Sequence, residues 1–236
     1  MRKKAFSPLS WGLALAILVL GLSPVHALEP DYLCAEKDKN THFFVRHRWY
    51  KKEFPLKVYL PLPAAQIPLK DREMPVEAVL TAMQSWHNAW PFIRFQLVAT
   101  PKEASIEVLW HEQHFYKGQG RWGDAYFPEP IKDHKGKIVR HWSKINLALM
   151  AHPGSAAFAQ QPVPLNFQEI RDLAIHELGH ALGLIHSDDG NDVMGGGNHF
   201  LVTVLNKRNI SARDVATLKR LYGIPIKSNK PVCLHK

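Results

Sequence analysis

Only two cysteines, Cys34 and Cys233, occur in the 236 residues. At most one intramolecular disulfide is therefore available, and a scaffold built from disulfides is excluded. Beyond residue 27 no apolar run approaches the length of a membrane span, so no stable membrane insertion is expected of the body of the chain. No segment repeats with a period of about 20–50 residues and no tract is of low complexity, which excludes solenoids and repeat arrays. Lys and Arg outnumber Asp and Glu by 30 to 21, a formal charge of +9, yet the basic residues are scattered. No helix carries a basic stripe and no basic–aromatic pattern occurs, so no nucleic-acid partner is expected. The excess reads as a solvated basic surface with some attraction to anionic polymers.

What is present begins with a leader. Residues 1–27 place Arg2, Lys3 and Lys4 ahead of the twelve-residue apolar run WGLALAILVLGL and end in the small-residue pattern Val25-x-Ala27. This is the layout of a cleaved secretory signal peptide. As a helix the run rises only about 18 Å against a hydrocarbon core of roughly 30 Å, so it is too short for an anchor. A secreted or periplasmic chain starting at Leu28 is expected. Its charge falls from +9 to +6, because Arg2, Lys3 and Lys4 leave and no acid leaves with them. In an exported chain the two cysteines predict a Cys34–Cys233 disulfide that clasps the two ends of the mature sequence.

Residues 28–50 read as an extended lead-in and 51–236 as one domain. Strands are expected at 54–63, 91–100, 104–112, 118–130 (an edge strand) and 138–149. Helices are expected at 75–90, starting on Pro75, at 166–183, and from Ser211 to a stop at Gly223. Asn166 with Glu169, and Ser211 with Asp214, have the spacing of capping boxes. Five strands and three helices in this order indicate the α+β class.

The stretch AIHELGHALGLIH is the clearest chemical signal. His176 and His180 are four apart, so on a helix their rings lie one turn apart on one face and can share a cation. Gly183 ends the helix in the left-handed conformation, and His186 can swing back to the same ion. Three neutral imidazoles with an open position describe a catalytic zinc site. Glu177 sits about 100° round the helix, badly placed as a ligand but near enough to take a proton from a water there. The three fixed positions of HExxH arise by chance about once in 8,000 windows, and Gly183 with His186 makes that several million.

HExxHxxGxxH followed by a Met-turn is the metzincin signature. HELGHALGLIHS with Ser187 after the third histidine, then DVMG with Met194, resembles the matrixin branch. The likeness extends over residues 54–223, through LKVYLP, ASIEVLW, GDAYFP and ISARDVATLKRLYG. It implies a zincin-like domain with a twisted five-stranded mixed sheet, and Met194 on a tight turn beneath the zinc. It also implies a protein or peptide substrate lying antiparallel to the edge segment Arg121, Trp122, Gly123, Asp124, Ala125, Tyr126 and Phe127. The activity implied is that of a zinc endopeptidase, with Glu177 as general base and the chain acting as a monomer.

Many matrixins hold a second, structural zinc through histidines and an aspartate. Here His111, His114, Asp124, His134 and His141 do not match that spacing, and Asp124 stands where an edge-strand histidine is expected. These histidines read as loop and surface residues, so one catalytic Zn2+ is expected and no structural zinc or calcium. SDDGND (187–192) reads as a turn. DYLCAEKDK does not resemble the family's cysteine switch. Two other functions remain open on the same fold: a catalytically silent zinc-binding protein, and a cationic envelope-binding module.

Overall fold

The long strand β8 (Ile138–Ala148) is the spine of the sheet, and the other strands are placed by it. The computed structural model describes residues 31–33, 47–64, 69–116, 119–151, 161–195 and 209–225. Strands β1 (Leu56–Tyr59), β2 (Phe95–Leu97) and β3 (Ile106–His111) run parallel to one another, and β3 runs parallel to β8. On the other side of β8 lie β6 (Gly123–Ala125) and β7 (Glu129–Lys132), both antiparallel to it. They share that side end to end. The sheet is therefore mixed and five positions wide, in the order β2-β1-β3-β8-β6, as the family resemblance implied.

The expected edge strand over 118–130 is divided. Strand β5 (Gln119–Arg121) leaves the sheet to form a hairpin with β4 (His114–Tyr116), while β6 and β7 keep the pairing with β8. Two short strands, β9 (Met150–Ala151) and β10 (Val163–Pro164), form a separate antiparallel pair.

Helix α1 (Leu69–Ala89) starts six residues before Pro75 and carries that proline inside it, where the sequence put the start. Proline fits the first turn best because it has no N–H to donate, which is why it drew the boundary. Helix α2 (Phe167–Ala181) begins as its caps predict. Asn166 Oδ1 accepts from the Glu169 amide at 3.0 Å, and Glu169 accepts from the Asn166 amide at 2.8 Å. Helix α3 (Ala212–Gly223) has the same reciprocal box between Ser211 and Asp214. Among the described residues no helix is long and apolar enough to cross a membrane.

The core lies between the sheet and helices α1 and α2. Ala78, Val79, Ala82, Met83 and Trp86 of α1 are buried with Leu173, Ala174, Ile175 and Leu178 of α2. Trp86 satisfies its indole by donating to the Ile175 carbonyl at 2.9 Å. The lead-in is less detached than its polarity suggests. Tyr32, Leu33 and Trp49 are fully buried in the same core, and Trp49 Nε1 donates to the Ala181 carbonyl at 2.7 Å. That bond satisfies one of the last carbonyls of α2, which the helix itself cannot use. Residues 1–27, Cys34 and Cys233 lie outside the described residues, and with them the leader and the proposed disulfide.

Candidate metal centre

Helix α2 delivers the first two histidines and the turn at its end delivers the third. Gly183 has φ +101°, the left-handed conformation expected of it. Space there is also tight, since a Cβ would come within 3.1 Å of the Leu221 side chain in α3. The chain then doubles back, with the Leu184 amide donating to the Gly179 carbonyl at 2.9 Å. This brings His186 opposite His180, with their Nε2 atoms 3.2 Å apart. One ligand atom from each of His176, His180 and His186 lies within 4.8 Å of the other two.

The donor set fits a zinc ion. Two Zn–N bonds of 2.0–2.1 Å at a tetrahedral angle place their nitrogens about 3.3 Å apart, close to the His180–His186 separation. Two rings are aimed by backbone carbonyls: His176 Nδ1 lies 2.7 Å from the Val193 oxygen and His180 Nδ1 lies 2.8 Å from the Leu184 oxygen. A carbonyl only accepts, so each Nδ1 carries the proton and each Nε2 keeps its lone pair for a cation. Burial, with help from the neighbouring His186, pushes His180 down to about 3. His186, although exposed at the surface, is lowered as well by partial desolvation of its ring, and the positive charge of Arg121 adds to this. Both shifts keep the rings neutral and able to ligate.

Glu177 is 2% exposed and its Oε2 has no hydrogen-bond partner among the described residues, a costly state for a buried carboxylate. Burial raises its pKa well above the usual carboxylate range; the charge of Asp124 pushes it further up and Arg121 opposes. Gly123 lies directly against it, for a Cβ there would come within 3.2 Å of Glu177 Cγ and 2.8 Å of the Asn146 carbonyl oxygen. The edge strand β6 thus lies over the glutamate. Phe127 adds a wall, its ring edge-on to His180 at 5.6 Å between centroids.

Met194 lies on the turn that follows the third histidine and is fully buried. Its carbonyl accepts from the Ser187 amide at 2.7 Å. Its side chain fills the space left by Gly179, where a Cβ would come within 2.2 Å of the Met194 sulfur. The matrixin (peptidase M10) family pattern matches residues 48–223, three quarters of the chain. The chain belongs to the matrixin family. It is similar to macrophage metalloelastase of Rattus norvegicus, 26% identical over 201 residues, which are 78% of this chain and 35% of that protein. It is also similar to macrophage metalloelastase of Oryctolagus cuniculus, 29% identical over 165 residues, 63% of this chain and 29% of that protein. The chain thus spans about a third of the length of these relatives. As a matrixin it carries the family's histidine triad for zinc, with all three ligands in place.

The sequence missed what holds the Met-turn. The Asp214 carboxylate accepts from the Val193 amide at 3.0 Å and the Met194 amide at 3.4 Å, and from the Tyr32 hydroxyl at 2.8 Å. The capping box revealed Asp214 only as a helix cap. Below it, Asp192 accepts from Ser187, from Ser211 at 2.6 Å and from Arg213 at 2.9 Å. The acidic run 187–192 is therefore a turn held by Arg213, as its composition suggested.

The reading of the histidines before α2 as loop and surface residues is corrected. His141 is fully buried and bonds through Nδ1 to Glu53 at 2.8 Å; His114 is buried and bonds to Asp124 at 2.9 Å. An acidic partner distant in sequence lets each ring go inside, and spacing along the chain does not show such a partner. His134 does lie exposed in a turn.

Proposed function

We propose that this chain is an exported zinc endopeptidase that hydrolyses internal peptide bonds of protein substrates. One observation carries the reading: Glu177 holds a buried carboxylate oxygen with no hydrogen-bond partner among the described residues, beside three imidazole nitrogens that converge on one point. A protein that only stores or carries zinc has no use for a base there, and an orphaned carboxylate is a standing cost to stability.

His176, His180 and His186 hold the ion. A zinc ion so placed supplies Lewis-acid activation of a water and of the scissile carbonyl. Glu177 accepts the water's proton on its free oxygen and delivers it to the departing amine, and its raised pKa suits both tasks. Among the described residues strand β6 is the last in its sheet, so an extended substrate can add to it antiparallel through backbone hydrogen bonds. The segment Arg121–Phe127 would then run along the peptide, with Phe127 against His180 and the charge of Arg121 felt at His186.

Export rests on the leader 1–27, with the mature chain starting at Leu28 and closed by a Cys34–Cys233 bridge. N-terminal sequencing of secreted protein and a free-thiol assay test these two points; a retained Met1 or two reactive thiols would refute them. Hydrolysis of casein by the purified mature chain, abolished by a chelator and restored by zinc, tests the activity. Zinc-loaded protein that leaves casein and gelatin intact sinks it.

A further inference from the structure

The face of β6 turned away from Glu177 carries a polar chain that the mechanism above does not use. Gly123 points toward α2, so the next residue, Asp124, points to the opposite face of the sheet. Asp124 Oδ1 lies 2.6 Å from Asn146 Nδ2, its register partner on β8. Asp124 Oδ2 lies 2.9 Å from His114 Nε2 on the β4–β5 hairpin. Asn146 Oδ1 in turn lies 2.9 Å from His111 Nε2 at the end of β3. Carboxylate oxygens only accept, so the Asn146 nitrogen must face Asp124 and its oxygen is left to accept from His111. Both histidines therefore carry a proton on Nε2. His114 and Asn146 are buried, at 9% and 8% exposure, so these bonds are partly shielded from water.

We propose that Asp124 is a positioning residue for peptide hydrolysis: clamped by His114 and Asn146, it fixes edge strand β6 over Glu177 before substrate arrives. The proposal rests on the endopeptidase reading. Strand β6 has only three residues and, among the described residues, one partner strand; even with the Ala148–Trp122 and Tyr126–Lys144 backbone bonds at its ends, so short a ladder holds it weakly by itself. A substrate that adds to a loose strand must order it first, and that ordering subtracts from binding. The Asp124 clasp ties the strand to β8 and to the β4–β5 hairpin, and through Asn146 to β3. Within the clasp each imidazole Nε2 donates to a protein oxygen.

The test uses the full mature chain with zinc bound, assayed well below its melting temperature on a fluorogenic peptide. His114→Ala and Asp124→Asn should raise KM about tenfold and leave kcat within about threefold, because backbone pairing is made in the ground state as well as in the transition state. His114→Gln, whose amide can donate where Nε2–H does, should restore KM. In the double variant the two effects should be far less than additive, as expected for one shared contact. Hydrogen exchange gives a readout that needs no activity: amides 123–125 should exchange at least about tenfold faster in His114→Ala than in wild type, while those of α2 do not change. Unchanged KM and unchanged exchange in folded variants overturn the proposal. So does a second metal ion per wild-type chain that is lost in Asp124→Asn, since the four side chains would then be a ligand set. If wild type binds zinc and never cleaves a peptide, the endopeptidase reading fails, and the exchange data still decide whether the clasp holds the strand.

Discussion

Gly179 and Met194 are in contact so close that no side chain can stand between them: a Cβ on Gly179 would lie 2.2 Å from the Met194 sulfur and 3.3 Å from the Trp86 ring. Gly179 lies between His176 and His180 in sequence, so the contact seats the ligand-bearing turn of α2 on the Met-turn. Glycine inside a helix costs about 1 kcal/mol relative to alanine, and Gly179→Ala would recover that if space allowed. Here the space is filled, and overpacking a close-packed core costs about 1–3 kcal/mol. Gly179→Ala is expected to lower the melting temperature and to weaken zinc binding, as the helix or the sulfur shifts. Met194→Ala in the same chain should recover part of both. Calorimetry and zinc titration read the two effects, and an alanine variant that melts higher and binds zinc as well would contradict the packing argument.

Replacing Glu177 separates chemistry from stability. Glu177→Gln keeps the shape of the side chain and removes the base, so turnover should fall by at least about 100-fold. Zinc content should stay at the wild-type level, because the three nitrogens are untouched. The melting temperature should hold or rise, since the variant removes a buried carboxylate whose Oε2 has no partner among the described residues. A clear fall in melting temperature would mean that Glu177 has a structural role that the geometry does not reveal.

Asp214 predicts a different pattern. Its carboxylate serves the Met-turn amides, the Tyr32 hydroxyl and its own helix cap together. Asp214→Ala leaves buried donors without an acceptor, a loss of about 2–4 kcal/mol by the usual penalty for such groups. Residues 31–33 should become sensitive to protease at the same time, because Tyr32 loses its anchor. Limited proteolysis with mass spectrometry checks this. Tyr32→Phe should show a smaller effect of the same kind.

These cases show how far the sequence could be read. The metal ligands, Glu177, the helix stops and both capping boxes depend on short-range spacing, and spacing along a helix is visible in one dimension. The strands of the main sheet were found, but the short strands β4, β9 and β10 were not, nor was the division of 118–130 into β5, β6 and β7, since register depends on the partner strand. Gly179 offered a hint, because a glycine inside a helical pattern usually has a packing reason. Asn146 offered another, as a polar residue in the apolar stretch INLAL of β8. What stayed hidden was long-range pairing. Asp124 with His114 and Asn146, Glu53 with His141, and Asp214 with the Met-turn join residues that nothing in local order connects.

The Glu53–His141 pair gives a prediction for acid. Burial alone would raise the pKa of Glu53, but bonds from the His141 ring and from the Tyr50 and His141 amides outweigh it and lower the pKa below the usual value. The unfolded chain then takes up a proton more readily than the folded one. Stability from this group is present above the unfolded carboxylate value of about 4.3, and is lost as pH falls through the lower folded value. Glu53→Gln should lower stability at neutral pH and flatten the decline below about pH 4. Urea unfolding across that range reads the slope; identical slopes in both proteins would remove Glu53 from the account.

Metal removal should expose the cost of gathering three histidines. Any ligand that binds only the folded state adds stability, about 2.7 kcal/mol at a hundred times its dissociation constant. Stripping zinc with a chelator should therefore lower the melting temperature by several degrees, about 2–4 °C per kcal/mol for a domain of this size, and zinc should reverse it. The metal-free protein should also be sensitive to mild acid. His180 is pushed down to about 3 by burial and by His186, and His186 is lowered too, so the unfolded chain binds protons that the folded one refuses. For groups lowered in this way stability is present above the unfolded imidazole value of about 6.5 and is lost as pH falls toward the folded one. Melting of apo-protein should thus decline from about pH 6.5 downward, and His180→Gln apo-protein should decline less steeply. Equal slopes for the two apo-proteins would show that His180 is solvated when the metal is gone.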